Sequence, residues 1–158
     1  ALIAASAFTA NAFADTATDT FKVKTKVLKS CSVTAGAGSD IDFGSVAASA
    51  VNLQGTSNIT VKCSKKTGYN IGLLPGNGNA AGAGVMSSVV VTPIETVAYQ
   101  LRKVTGLAGA VWGNTIGTNT VAGTGTGLDV VVPVFATVAS ANSSPDDYID
   151  TVTVTVTY

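Results

Sequence analysis

Histidine is absent from this chain of 158 residues, and charged residues make up only 11% of it. Without histidine, the chain lacks the base of Ser-His-Asp and Cys-His catalytic sites and the commonest protein ligand of metal ions. Basic and acidic residues number nine each, so the net charge is zero. A balanced charge lacks the positive excess with which proteins bind nucleic acids or anionic membranes. The composition therefore predicts no enzyme, metal site, cofactor or nucleic-acid partner.

Long apolar runs are also scarce. Residues 1–14 are apolar and small, but too short for a membrane span, and no later segment approaches a transmembrane helix. They end in Ala12-Phe13-Ala14, the small-x-small pattern of a signal peptidase site. We interpret residues 1–14 as a truncated signal peptide, followed by a mature chain that starts at Asp15. The sequence thus predicts an exported protein that does not insert into the membrane.

Cysteine is limited to Cys31 and Cys63. An even count in an exported chain favours one disulfide, and the two residues form neither a CxxC pair nor part of a metal-ligand set. Closing a loop of about thirty residues contributes about 3–4 kcal/mol in the chain-entropy model.

Short alternating segments dominate the rest of the chain, while glycine and β-branched residues interrupt every candidate helix. The clearest lies at residues 150–158, where Val152, Val154, Val156 and Tyr158 share one face and threonines share the other. Pro133 implies an edge position or a bulge in its strand. The other predicted strands are 41–46, 57–63, 69–73, 85–91, 97–101, 111–112 and 130–138. Many short strands joined by turns predict an all-β sandwich.

Three further features allow a functional and a structural interpretation. The glycine-rich tracts 75–84 and 123–127 lack the following Lys-Ser/Thr and helix of a phosphate site, so we interpret them as hairpin loops. The neighbouring acids Asp146, Asp147 and Asp150 fit a solvated turn better than a calcium loop or a hydrolase site. The aromatic residues Trp112, Tyr69 and Tyr99 are core candidates, or stacking residues if the chain is a secreted binding module.

The segment 15–30 has an alternating pattern of its own. Phe21, Val23, Thr25 and Val27 share one face, and Lys22, Lys24 and Lys26 lie on the other. One interpretation is a first strand of the sandwich, with lysines that protect an exposed edge. The other is a strand that leaves its own domain and completes a neighbouring one.

A set of weak motifs in a fixed order favours the second interpretation. It comprises Cys31-Ser-Val, Ile41-x-Phe-Gly, Ile59-x-Val-x-Cys, Tyr69-Asn-Ile, Tyr99-Gln-Leu, Pro133-Val-Phe and the closing segment 147–158. This order resembles the spore coat U domain family, which includes major subunits of archaic chaperone–usher pili such as the Csu pilin.

The resemblance implies an immunoglobulin-like β-sandwich that lacks its last strand and is completed by a donor strand from a neighbouring subunit. The donor face would be Phe21, Val23, Thr25 and Val27, where the Thr25 hydroxyl fits an apolar groove poorly. The C-terminal strand, with Val152, Val154, Val156 and Tyr158, would border the groove. Cys31 and Cys63 would join the first two strands.

The resemblance also implies the function and the partners. The chain would be a structural pilus subunit that serves adhesion and biofilm formation, with residues 15–28 as donor segment and residues 29–158 as pilin domain. Its partners would be copies of itself or other subunits, a periplasmic chaperone and an outer-membrane usher. It would reach the periplasm and then the cell surface. The alternative is a self-contained secreted module that binds carbohydrate or protein.

Overall fold

The computed structural model describes residues 15–158, so the predicted signal peptide lies outside the described residues. Nine strands and one short 3-10 turn, Ala37–Ser39, are present in this part of the chain. The strands are β1 (Cys31–Thr34), β2 (Val51–Cys63), β3 (Gly68–Leu74), β4 (Ala83–Ser88), β5 (Thr96–Arg102), β6 (Val121–Thr124), β7 (Asp129–Ser140), β8 (Tyr148–Ile149) and β9 (Thr153–Thr157). Residues 15–158 contain no helix long and apolar enough to cross a membrane.

The strands form two sheets. The larger has the order β1-β2-β7-β5-β4-β8 and the smaller the order β6-β3-β9. Every named strand pair is antiparallel. The longest pairing, β2 with β7, runs from Val51 opposite Ser140 to Lys62 opposite Asp129. The predicted all-β sandwich is confirmed, and its small sheet stops after three strands, as expected of an incomplete immunoglobulin-like fold.

The core lies between the sheets and is built by the inward positions of alternating strands. Ile71 and Leu73 of β3 pack against buried side chains from β2, β5 and β7. Trp112, which is fully buried, donates its indole N–H to the backbone carbonyl of Ile71 at 2.9 Å. This bond satisfies the one polar group of the largest core side chain, so the tryptophan is a structural residue.

Most predicted strands are confirmed, and two are not. Residues 41–46 form no strand. The Asp42 carboxylate instead accepts the Gly44 N–H at 2.7 Å, and Gly44 takes a φ of 70°, which turns the chain. Residues 111–112 contribute only an isolated bridge from Val111 to Arg102.

Pro133 does not lie on an edge strand, because β7 has β2 on one side and β5 on the other. However, β5 pairs only with residues 135–137, so Pro133 lies beyond the part of β7 that is paired on both sides. Sequence analysis missed β6, which pairs with β3 and places Gly123 opposite Tyr69.

A candidate binding groove between the two sheets

Residues 15–30 form a segment without regular secondary structure that belongs to neither sheet, and every side chain in it is exposed. Phe21 and Val23 are each 89% exposed, and Val27 is 83% exposed. Thr25, on the same face, is exposed as well. An alternating apolar face held fully in water favours burial against a partner.

The strand β9 forms one edge of the small sheet. Within the described residues it pairs only with β3, from Asn70 opposite Thr157 to Leu74 opposite Thr153. Val152, Val154 and Val156 are half-buried and pack against the core. Tyr158 follows the end of β9 and is exposed, so it differs from the three valines with which sequence analysis grouped it. The other edge of β9 leaves its backbone N–H and C=O groups available to a further strand.

The strand β1 lies beside β9 at one end of the sandwich and is itself an edge strand, paired with β2. Cys31 lies directly opposite Cys63, and the two form the predicted disulfide. The bond fixes the start of β1, which is the point where the exposed segment 15–30 leaves the domain. We call this region the disulfide end of the sandwich.

An open groove lies between the two sheets. It consists of two cavities of about 890 and 500 Å³ that share lining residues such as Ile41, Phe43, Met86 and Tyr148. Buried core side chains form the floor, among them Ile59, Leu73, Leu101, Val134 and Ala136. Ile41 and Phe43 line one side, and Val152 and Val154 the other. The groove therefore exposes part of the hydrophobic core beside the unpaired edge of β9.

One polar contact anchors the groove wall. The Tyr99 hydroxyl donates a 2.7 Å hydrogen bond to the Asp150 carboxylate, which ties β5 to the segment just before β9. Burial raises the pKa of the Tyr99 phenol, and the hydrogen bond to Asp150 and its negative charge raise it further. Tyr99 thus remains the uncharged donor over the physiological range, and its ring lies across Gly84, where a Cβ would collide with it.

The far end of the groove is lined by the loop 141–147, and the hairpin that connects β4 and β5 is hydrogen-bonded to this loop. Asp146 accepts the backbone N–H groups of Val90 at 2.8 Å and Val91 at 2.7 Å. These bonds hold the pKa of Asp146 below its usual value. Glu95 accepts the N–H and the hydroxyl of Ser144 at 2.8 and 2.7 Å, and both bonds lower its pKa. The hairpin is therefore fastened to the loop 141–147, and we call this region the hairpin end.

The acidic residues and aromatics do not form the alternative sites considered from the sequence. Within residues 15–158, no group of three or more acidic, Cys or His residues could hold a metal ion. Asp146 and Asp150 make structural hydrogen bonds instead. Trp112, Tyr69 and Tyr99 are all buried, so they cannot stack on a ligand at the surface. The glycine-rich tracts are not the predicted hairpin loops, because each connects strands of different sheets: residues 75–84 lead from β3 to β4, and residues 123–127 include the end of β6 and lead to β7.

The comparisons with known proteins place the chain in a family. Residues 17–155 match the model of the Spore Coat Protein U (SCPU) domain. The chain belongs to the SCPU domain family. The SCPU match includes most of the exposed segment together with nearly all of both sheets, so these two parts belong to one family unit. Comparison with curated proteins returns no match.

The SCPU chain is also similar to a solved structure, the pre-assembly complex of the chaperone CsuC with the tip adhesion subunit CsuE from archaic chaperone–usher Csu pili of Acinetobacter baumannii. The identity is 26% and the TM-score is 0.49, over 84% of this chain and 40% of that chain. This chain thus spans less than half the length of the chain that it matches.

The structure brings some of the predicted site residues together and leaves others apart. Val152 and Val154 line the groove, whereas Phe21, Val23, Thr25 and Val27 lie outside it on the exposed segment. Sequence analysis missed the other wall, because Ile41 and Phe43 were assigned to a strand. It also missed the exposed tip of the hairpin, for which the apolar run at residues 89–91 between two polar stretches was an available signal.

Proposed function

We propose that this SCPU domain is a structural subunit of a surface pilus, assembled by donor-strand exchange through a chaperone–usher system. The observation that carries the proposal is the open apolar groove beside the unpaired edge of β9. Membership of the SCPU domain family supports this proposal, because that family includes major subunits of archaic chaperone–usher pili. The role is structural rather than enzymatic.

The donor in this proposal is the segment 15–28 of a second copy. Its exposed apolar face, Phe21, Val23, Thr25 and Val27, would enter the groove between Ile41 and Phe43 on one side and Val152 and Val154 on the other. Burying each of Phe21, Val23 and Val27 contributes about 1.5–3 kcal/mol before ordering costs. Hydrogen bonds to the free edge of β9 add a net ~1 kcal/mol each. Lys22, Lys24 and Lys26 stay in water on the opposite face.

The same arrangement generates a fibre. Each domain, residues 29–158, offers one groove and is preceded by one donor segment, so the contact joins two different surfaces of the chain. Head-to-tail contacts of this kind form open filaments when the rotation between copies does not close a ring. Before polymerisation the exposed groove would aggregate, and a periplasmic chaperone that lends a strand would prevent this. An outer-membrane usher would then deliver subunits to the cell surface, where the pilus serves adhesion and biofilm formation.

The proposal is tested by changing the donor face alone. Phe21→Asp or Val23→Asp should abolish fibre growth in cells that express the chaperone and usher, because a charge enters the apolar groove. Lys24→Ala is the matched control on the opposite face of the same segment, and it should leave the fibre yield unchanged. Co-purification with the chaperone should survive all three substitutions, since the groove is intact. An unchanged fibre yield from Phe21→Asp and Val23→Asp would contradict the donor assignment.

A further inference from the structure

We propose that the hairpin tip, residues 89–94, of one copy docks against the disulfide end of the copy that supplies its donor strand. This second interface rests on the proposed function and adds to it a specific contact between neighbouring domains. It follows from the direction of β9, the length of the connection before β1, and the residues exposed at the two ends.

The direction of β9 determines where an incoming strand leaves the groove. β9 runs from the hairpin end towards the disulfide end, because Thr153 lies opposite Leu74 and Thr157 opposite Asn70. All strand pairs of the domain are antiparallel, and antiparallel addition is the commoner mode. An added strand would therefore run towards the hairpin end and leave the groove there. The opposite direction would bring it out at the disulfide end, where the acceptor's own segment 15–30 already leaves the domain.

The connection between the donor strand and its own domain is short. Only Leu28, Lys29 and Ser30 separate Val27 from Cys31. A fully extended chain spans roughly 3.3–3.6 Å per residue, so the Cα atoms of Val27 and Cys31 lie at most about 14 Å apart. A Val27 seated at the hairpin end of one copy thus draws the disulfide end of the next copy into contact range.

Both ends expose apolar side chains on anchored loops. At the hairpin tip, Val89 is 58% exposed, Val90 77% and Ile94 71%. At the disulfide end, Leu128 is 71% exposed. The preceding Gly127 donates its N–H to the Cys63 carbonyl at 2.9 Å, which holds this loop beside the disulfide. Exposed apolar residues held in place by hydrogen bonds suit a preformed contact that costs little ordering entropy.

The charges at the two ends are of opposite sign. The hairpin end carries Glu95, Asp146 and Asp147, and the disulfide end and its connection carry Lys29, Lys65 and Lys66. The only ion pair within residues 15–158 joins Lys62 to Asp129, so none of these six charges is paired within the described chain. Opposite potentials on the two ends favour their encounter over contact between two like ends. This complementarity identifies a second copy of the chain as the occupant of the hairpin tip.

The experiment separates this contact from donor-strand binding. A synthetic peptide of residues 15–30 contains the donor strand but not the disulfide end. The double variant V90D/I94D should bind this peptide, after release from the chaperone, as well as the unmodified chain does. Its assembly into polymers should be roughly tenfold slower or more, since the loss of two buried apolar contacts exceeds 1.4 kcal/mol. Ile116→Asp changes a similarly exposed residue outside both ends, in a loop hydrogen-bonded to Ala80, and should assemble normally.

A cross-linking arm tests the contact directly. A chain with Val90→Cys and Leu128→Cys should give a ladder of covalent oligomers when its polymers are treated with a short thiol cross-linker, and either single variant should give none. Normal assembly of V90D/I94D together with the absence of a ladder would overturn the proposed contact while leaving donor-strand exchange standing. Such a result would assign the hairpin tip to a different partner. If the peptide fails to bind the unmodified chain, the proposed function fails and this interface fails with it.

Discussion

A copy of the donor segment fused after Tyr158 should fill the groove of the same chain. The exposed Tyr158 follows β9 at the disulfide end, and an antiparallel strand added to β9 begins at that end. A hairpin connection of two to four residues, such as one built on Asn-Gly, is therefore long enough to join Tyr158 to a copy of residues 16–28. A parallel strand would have to begin at the hairpin end, which so short a connection cannot reach.

The size of the effect follows from the exposure of the donor face. Phe21, Val23 and Val27 change from more than 80% exposed to buried, which contributes about 4.5–9 kcal/mol in total before the cost of ordering the strand. Truncating the fused equivalent of Val23 to alanine removes two methyl groups, or about 1.6 kcal/mol, and should lower the melting temperature by roughly 3–6 °C. The fused equivalent of Lys24→Ala should change it by less than about 1 °C, because that side chain points to solvent.

The assay is thermal unfolding by circular dichroism together with size-exclusion chromatography. The fused chain should be monomeric without a chaperone and should melt in one cooperative transition above that of the unfused chain. Equal melting temperatures for the fused and unfused chains would refute the groove assignment. A fusion that becomes stable only with a connection long enough to span the groove would refute the antiparallel direction.

Three further predictions concern the domain itself. Gly84→Ala should lower the free energy of unfolding by about 1–3 kcal/mol, because its Cβ would meet the Tyr99 ring, whereas Gly36→Ala, with open space around it, should have little effect in the same urea titration. Replacing Cys31 and Cys63 by serine should cost about 3–4 kcal/mol of stability, and reduction of the unmodified chain should have the same effect on urea unfolding. The hydrogen bonds from Val91 and Val90 hold the pKa of Asp146 below its usual value, so their stabilisation is complete above the usual pKa of an aspartate and is lost as the pH falls through the lowered pKa. Amide hydrogen exchange at Val90 and Val91 should accelerate in that acidic range beyond the intrinsic pH effect, and in Asp146→Asn this extra acceleration should disappear.

The accuracy of the sequence-based predictions depended on how local the responsible interaction was. β2, β3 and the pair β4–β5 were recognised because short apolar runs lie between turn residues, and the alternation along β2 assigned Ile59, Val61 and Cys63 correctly to the buried face. Residues 41–46 show similar alternation but form no strand. The turn at Gly44 ends the extended conformation, and the stretch lies along the open groove, where no described strand pairs with it. The pattern encodes which side chains can share a face, whereas a strand also requires a partner.

For β6 the prediction was wrong in the opposite way, because the strand is present but was not recognised. Val-Ala-Gly-Thr is short and contains two poor strand formers, alanine and glycine, yet it pairs with β3, and the ring of Tyr69 lies over Gly123. That contact joins residues far apart in the chain. The local sequence of β6 therefore contains no signal for its pairing with β3.

The sequence by itself determined the class of the molecule. The absence of histidine, the two cysteines, the alternating β-branched segments and the ordered motifs restricted it to an all-β domain with one disulfide and an unusual lysine-rich first segment. Only the tertiary structure decided that this segment stays outside both sheets, that β9 keeps one edge unpaired, and that the core is open beside it. It alone assigned the exposed valines of the hairpin and the lysines near the disulfide to opposite ends. The physical reason is that periodicity records the side chains of one strand, while edges, grooves and ends depend on how all nine strands pair.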